Sequence, residues 1–294
     1  MRPHYRPRRS LLYVPSCVPR FLDKARRVPV DSVIFDLEDS VLPERKAEAR
    51  ANLLSALSAD QYGCRERVVR VNHLASAWGR DDLAAVASAD IDAVLLPRIE
   101  SQQDVATALA ALDAAGGEHL SIMVQIETPA GVLRAEEICA ASPRIACVVL
   151  GTSDLTNELH ARITLERVPM LHSLSHCLLA ARAHDIAIVD GIHLDLKDMK
   201  SFEYACRLAR DLGLDGKTLI HPDQIAYAND AFTPRPDNVA RARRIIDALA
   251  EANRAGSGVA VFEGRLVENL HVESAKRTLM IHDMIQQCWG GQGA

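Results

Sequence analysis

The stretch "IMVQIETPAGVL", Ile122–Leu133, contains the unit from which the whole chain is read. A short, largely β-branched apolar run is broken by Glu127. Thr-Pro-Ala-Gly follows, and a proline just inside a helix start is favoured because its missing N–H has no partner there anyway. A second run, "IACVVLGTSDL" (Ile145–Leu155), repeats the pattern one strand and one helix later and reaches Asp154. Each reads as a buried strand whose exit carries an acid.

The same rhythm extends in both directions. Strand candidates are Ser10–Pro15, Ser32–Glu38, Arg67–Asn72, Ala93–Arg98, Ile122–Glu127, Ala146–Gly151, Ile186–Asp195 and Lys217–Pro222. Between them lie amphipathic stretches such as "PERKAEARANLLSAL" and "KSFEYACRLARDLG". This alternation implies a parallel sheet covered by helices, and eight strands predict an α/β fold, a (β/α)8 TIM barrel, over residues 1–231. Polar residues gather at the C-terminal ends of the runs: Asp36, Glu38, Asp39, Arg70, Asn72, Arg98, Glu127, Asp154, Asp195 and His221. In a parallel barrel those ends meet at one mouth, so the pattern predicts a site together with a fold. From residue 232 to 294 the alternation stops. A helical stretch, a hairpin around Glu263-Gly264 and a final helix predict a C-terminal lid or oligomerisation arm.

Composition narrows the function. The chain has 294 residues, 48% hydrophobic, with a formal net charge of −5 and 4% aromatics. Neither the electrostatic footprint of nucleic-acid binding nor stacking platforms for single strands are expected. Seven cysteines are scattered without CxxC spacing, the start "MRPHYRPRRS" has no apolar core, and no run reaches membrane-spanning length. These features predict a reduced, cytoplasmic protein with no membrane partner. No GxGxxG or P-loop pattern is present, and His172 and His176, spaced as a helical metal pair, lack the accompanying glutamate of a zinc site.

A carboxylate at the end of a buried strand needs compensation, because an unpaired buried charge is penalised by several kcal/mol. Glu127 and Asp154 fit two roles equally: each caps the following helix, or together they hold a hard divalent ion such as Mg²⁺, which takes oxygen ligands and often uses just one or two carboxylates. Arg70 ends the third strand, where a guanidinium suits bidentate recognition of a carboxylate and also suits an ion pair with Asp36, Glu38 or Asp39. Asp36 and Glu38 share one face of an extended strand.

Eight segments, "RRSLLYVP", "SVIFDLEDSV", "RVVRVN", "VLLPRIES", "VQIETPAGVL", "VLGTSDL", "DGKTLIHPDQI" and "GSGVAVFEGRLVE", occur in an order that resembles the citrate lyase β-subunit-like family. That family holds malyl-CoA and citramalyl-CoA lyases among the Mg²⁺-dependent HpcH/HpaI-type aldolases. The resemblance spans nearly the whole chain and implies a homotrimer or larger homo-oligomer with the arm closing a site. It implies Mg²⁺ on Glu127 and Asp154, substrate oxygens on Arg70, a supporting shell of Asp36, Glu38 and Asp39, and coenzyme A phosphates near Arg9, Arg20 and Lys24. The implied reaction is carbon–carbon cleavage of a 3-hydroxyacyl-CoA to an acyl-CoA and a 2-oxo acid. Three alternatives stand beside it: a thioesterase on the same scaffold, a citrate lyase β subunit working with an acyl-carrier protein, and a non-catalytic binding protein. Two positions depart from the family pattern. Ser16 replaces the glycine of a turn after the first strand, and Glu268 replaces an arm aspartate that, in relatives, reaches a neighbouring subunit's site and handles a proton.

Overall fold

Eight parallel strands close on one another in sequence order: β1 Ser10–Pro15, β2 Ser32–Asp36, β3 Glu66–Arg70, β4 Ala93–Leu96, β5 Ser121–Ile126, β6 Ile145–Leu150, β7 Ala187–Asp190 and β8 Gly216–Leu219. The last strand pairs with the first, with Leu11 opposite Thr218. The computed structural model describes residues 6–58 and 62–290; the first five residues of the basic start lie outside them. Helices follow the strands, and the expected TIM barrel is the fold observed.

Side-chain alternation builds two apolar layers. Leu11, Ile34, Val68, Leu95, Met123, Cys147, Val149 and Val189 fill the barrel interior. Their neighbours along the strands, such as Val33, Phe35, Val69, Val124 and Val148, face outward into the core shared with the helices. Strands buried on both faces need near-continuous apolar sequence, which is why the runs are legible. The N-terminal end of the barrel is closed by ion pairs, Arg8 with Glu66 (2.6 Å) and Arg9 with Asp31 (2.7 Å).

Several strands stop earlier than the sequence suggests. β2 ends at Asp36, so Glu38 and Asp39 stand on the loop, and β5 ends at Ile126, one residue before Glu127. β7 ends at Asp190, not Asp195, and Gly191 just beyond it passes so close to Thr152 that a Cβ there would collide. Asp195 then accepts N–H bonds from Lys197 and Asp198 in an exposed loop turn.

The chain divides into two compact units, residues 1–232 and 233–294. The second unit consists of a helix (Pro236–Arg254), a hairpin of β9 (Ala260–Phe262) and β10 (Arg265–Val267), and a helix (Asn269–Trp289). Both hairpin-turn residues, Glu263 (φ 51) and Gly264 (φ 72), have positive φ, the conformation of a two-residue turn that matches strand twist. Among the described residues no helix is long and apolar enough to cross a membrane.

Candidate active site

At the C-terminal end of the barrel, a cavity of ≈ 440 Å³ is lined by Tyr13, Asp36, Asp39, Arg70, Gln125 and Asp154, among others. Asp36 and Arg70 are register partners at the ends of β2 and β3. That placement yields a bidentate ion pair with contacts of 2.7 and 2.8 Å. A third guanidinium nitrogen lies 2.9 Å from Glu38 and 3.6 Å from Asp39. The guanidinium also stacks over the Tyr13 ring at 4.7 Å. Burial alone would raise the Asp36 carboxyl, but Arg70 holds it below the ordinary range. The arginine is fixed from three sides, and one nitrogen remains directed along the acid loop.

Glu38 behaves differently. Burial pushes its carboxyl up to about 8, outweighing the attraction of Arg70, whose bidentate face is already occupied by Asp36; Asp39, Glu127 and Asp36 add repulsion. The buried Oε2 of Glu38 faces Arg70 at 2.9 Å and has no other partner among the described residues. Glu38 is therefore a proton-carrying group near neutrality, the range in which general acid–base groups are effective.

Glu127 is 3% exposed. The Arg98 N–H donates to Oε1 at 2.8 Å, and the Gln125 side-chain amide donates to Oε2. Arg98 aims its N–H there from a left-handed conformation (φ 51). The Tyr13 hydroxyl donates to the Gln125 carbonyl oxygen at 3.2 Å and so fixes the amide. Burial, followed by the nearby Asp154 charge, pushes Glu127 up to about 7 against these donors. Gly151 makes room for it, because a Cβ at 151 would strike the Glu127 side chain.

The structure settles the capping alternative. Thr128, not Glu127, caps the helix Pro129–Leu133, accepting the Gly131 N–H at 3.1 Å. Asp154 lies in the first turn of the helix Thr152–Glu158 without making a side-chain cap, and has no hydrogen-bond partner among the described residues. Two neighbouring carboxylates, one with a proton affinity raised by the other, are the donor set a hard cation suits. Among the described residues no third His, Cys, Asp or Glu joins them. An ion held there would complete its shell with substrate oxygens and water, as Mg²⁺ commonly does.

The remaining candidates are dispersed. Arg9 is corrected: it precedes β1 at the opposite end of the barrel, buried against Asp31, and is not available to a coenzyme at the mouth. Arg20 and Lys24 are exposed on the helix Pro19–Ala25 after β1, with Arg20 over the Phe21 ring. His221 caps the short turn Pro222–Gln224. Glu268 stands at the start of the helix Asn269–Trp289; its backbone carbonyl accepts the His271 N–H at 3.0 Å and its own N–H donates to His271 Nδ1 at 3.1 Å. Tyr13, Gln125 and the Arg98 N–H were not anticipated. A signal existed for Gln125: a polar residue two positions before Glu127 in an apolar strand must share its face.

The two raised carboxyls make stability depend on pH. Unfolded, both ionise near 4.5; folded, they keep their protons until about 7 and 8. Between those values the folded chain binds more protons than the unfolded one, so stability falls as pH rises. Without divalent cations, the melting temperature should decline from about pH 5 to about pH 8, and Glu38→Gln should flatten the decline and melt several degrees higher at the alkaline end. Thermal melts across that range check it.

Over residues 9–222 the chain matches the HpcH/HpaI aldolase/citrate lyase family, and it belongs to that family. It is 46% identical over 273 residues to a (3S)-malyl-CoA thioesterase of Cereibacter sphaeroides, covering 93% of this chain and 94% of that protein. It is 34% identical over 308 residues to an L-malyl-CoA/beta-methylmalyl-CoA lyase of Cereibacter sphaeroides, covering 96% and 97%. Among solved structures it resembles CitE of Mycobacterium tuberculosis in complex with magnesium, acetoacetate and coenzyme A. The TM-score is 0.76 at 30% identity, covering 96% of this chain and all of that one.

Proposed function

We propose that the chain hydrolyses a malyl-CoA-type thioester, a 3-hydroxyacyl-CoA whose hydroxyl carbon also bears a carboxylate, to the free hydroxy diacid and coenzyme A. What carries the choice of bond is the 46% identity to a thioesterase against 34% to a lyase, both over nearly the whole chain.

In this reading Glu127 and Asp154 hold Mg²⁺, which supplies charge neutralisation and orientation for the hydroxyl and carboxylate of the acyl group. Arg70, locked by Asp36, donates to the thioester carbonyl oxygen as negative charge develops there. Glu38 accepts a proton from the attacking water as the water oxygen bonds to the carbonyl carbon. The carbon–sulfur bond then breaks, and the leaving coenzyme A sulfur takes the proton held by Glu38, which returns to its ionised form. Because Glu38 must be ionised to act, turnover rises with pH through about 8. Arg20 and Lys24 are the proposed contacts for coenzyme A phosphates, and the working form is a homo-oligomer such as a trimer.

Carbon–carbon cleavage is the second reading, favoured by the family's aldolase and lyase members. One assay separates them. Malyl-CoA with Mg²⁺ should release a thiol that reacts with a chromogenic disulfide, without glyoxylate. Glyoxylate and acetyl-CoA without free thiol would establish the lyase instead.

A further inference from the structure

Lys46 opens the helix Lys46–Leu57 and is 6% exposed. Its ammonium donates to the Leu37 carbonyl (2.9 Å), the Glu38 carbonyl (2.8 Å) and the Asn72 side-chain oxygen (2.6 Å). An ammonium has three N–H donors, so each is used. The Trp78 ring covers it at 5.3 Å. Asn72 is held in turn: its side-chain nitrogen donates to the Leu37 carbonyl (2.8 Å) and to Asp82 (2.6 Å). Asp82 also accepts from the Asn72 backbone N–H and from Arg50, each at 3.0 Å. A buried polar chain therefore runs from Arg50 through Asp82 and Asn72 to Lys46, and ends on two carbonyls of the acid loop.

Those carbonyls lie just past the end of β2, where the ladder no longer provides donors. Leu37 is 1% exposed, so its carbonyl needs a partner inside the protein. Glu38 is gripped on both sides of its backbone. Its N–H donates to Asp36 at 2.9 Å, and its carbonyl accepts from Lys46 at 2.8 Å and from the Val41 N–H within the same loop at 2.9 Å. Between those two holds, its side chain meets Arg70 at 2.9 Å.

We propose that Lys46 is a positioning residue for the mouth of the barrel: by clamping the Leu37 and Glu38 carbonyls, it keeps the Glu38 carboxylate against Arg70 and in reach of the reacting water. The catalytic part of this statement rests on the hydrolase reading above; the clamp itself does not. Lys46→Met keeps an unbranched arm, one atom shorter, and removes every donor.

Hydrogen–deuterium exchange tests the clamp without any substrate. In Lys46→Met, amides of residues 37–41 should exchange about tenfold faster or more, while those of β5 (Ser121–Ile126) stay as in the parent. Unchanged exchange at 37–41 overturns the proposal. Should Lys46→Met not fold, Lys46→Gln, which keeps two N–H donors on a shorter arm and leaves Asn72 in place, should give the same local pattern at smaller amplitude; parental exchange at 37–41 in that variant would again overturn the clamp. On malyl-CoA, Lys46→Met should lower kcat by about ten- to a hundredfold with little change in KM, the scale on which misplacement of a reacting group is felt. In a Glu38→Gln background the same substitution should cost almost nothing more. Losses that multiply would show that Lys46 does not act through Glu38. Fast exchange at 37–41 with no thioester turnover in the parent would retain the clamp and reject the hydrolase.

Discussion

Asp154→Asn and Glu127→Gln should each lower malyl-CoA turnover by about 10³-fold, because the ion they would hold orients the acyl group against Arg70 and Glu38, and orientation is worth several kcal/mol, each 1.4 kcal/mol being tenfold. The two variants differ in stability. Asp154 is exposed and has no hydrogen-bond partner among the described residues, so its loss should leave the melting temperature near that of the parent. Glu127→Gln removes a buried anion but sets an amide NH₂ against one of the two N–H donors that hold the carboxylate, so the variant should lose the decline in melting temperature that Glu127 contributes between about pH 5 and about pH 7. Thiol release measured across a Mg²⁺ titration, beside thermal melts, checks both halves. Parental turnover in either variant at saturating Mg²⁺ would remove that acid from the site.

Arg70→Lys is the second large effect. A lysine retains charge but loses the fork that meets Asp36 with two parallel bonds and still presents a nitrogen toward Glu38. Its kcat/KM should fall by about 10²–10³-fold, the cost of removing one preorganised donor to a developing oxyanion. Arg70→Met goes further. It leaves Asp36, 1% exposed, as an uncompensated buried charge, which costs on the order of 3–5 kcal/mol of stability. A Met variant that melts with the parent would show that the Asp36–Arg70 pair is not the structural joint described above.

The barrel was legible because parallel strands buried on both faces must be apolar along their length, and the interruptions mark the ends. Glu127 could be recognised as unusual for the same reason. Whether it capped a helix could not be read, since Thr128 next to it has equal chemistry for that role and wins it by geometry. Arg9 misled because its partner Asp31 is brought to it by pairing of β1 with β2, a contact between distant residues that charge alone does not announce. Tyr13 looks like strand filling until the closed sheet brings its hydroxyl to Gln125, which shares a strand face with Glu127. Lys46 gave no signal: at the start of an amphipathic helix a lysine ordinarily faces solvent, and only the fold shows it turned beneath the acid loop. Local pattern thus located the mouth, while the partners of each charge came from closure of the barrel.

The central claim is that the Glu127 and Asp154 carboxylates share one hard cation at the mouth of the barrel. Anomalous diffraction from crystals soaked in Mn²⁺, which takes the same oxygen ligands as Mg²⁺, tests it most directly. The account predicts a single strong peak within coordination distance of both carboxylates, lost in Asp154→Asn crystals. A mouth with no peak, or a peak that persists after that substitution, would contradict it.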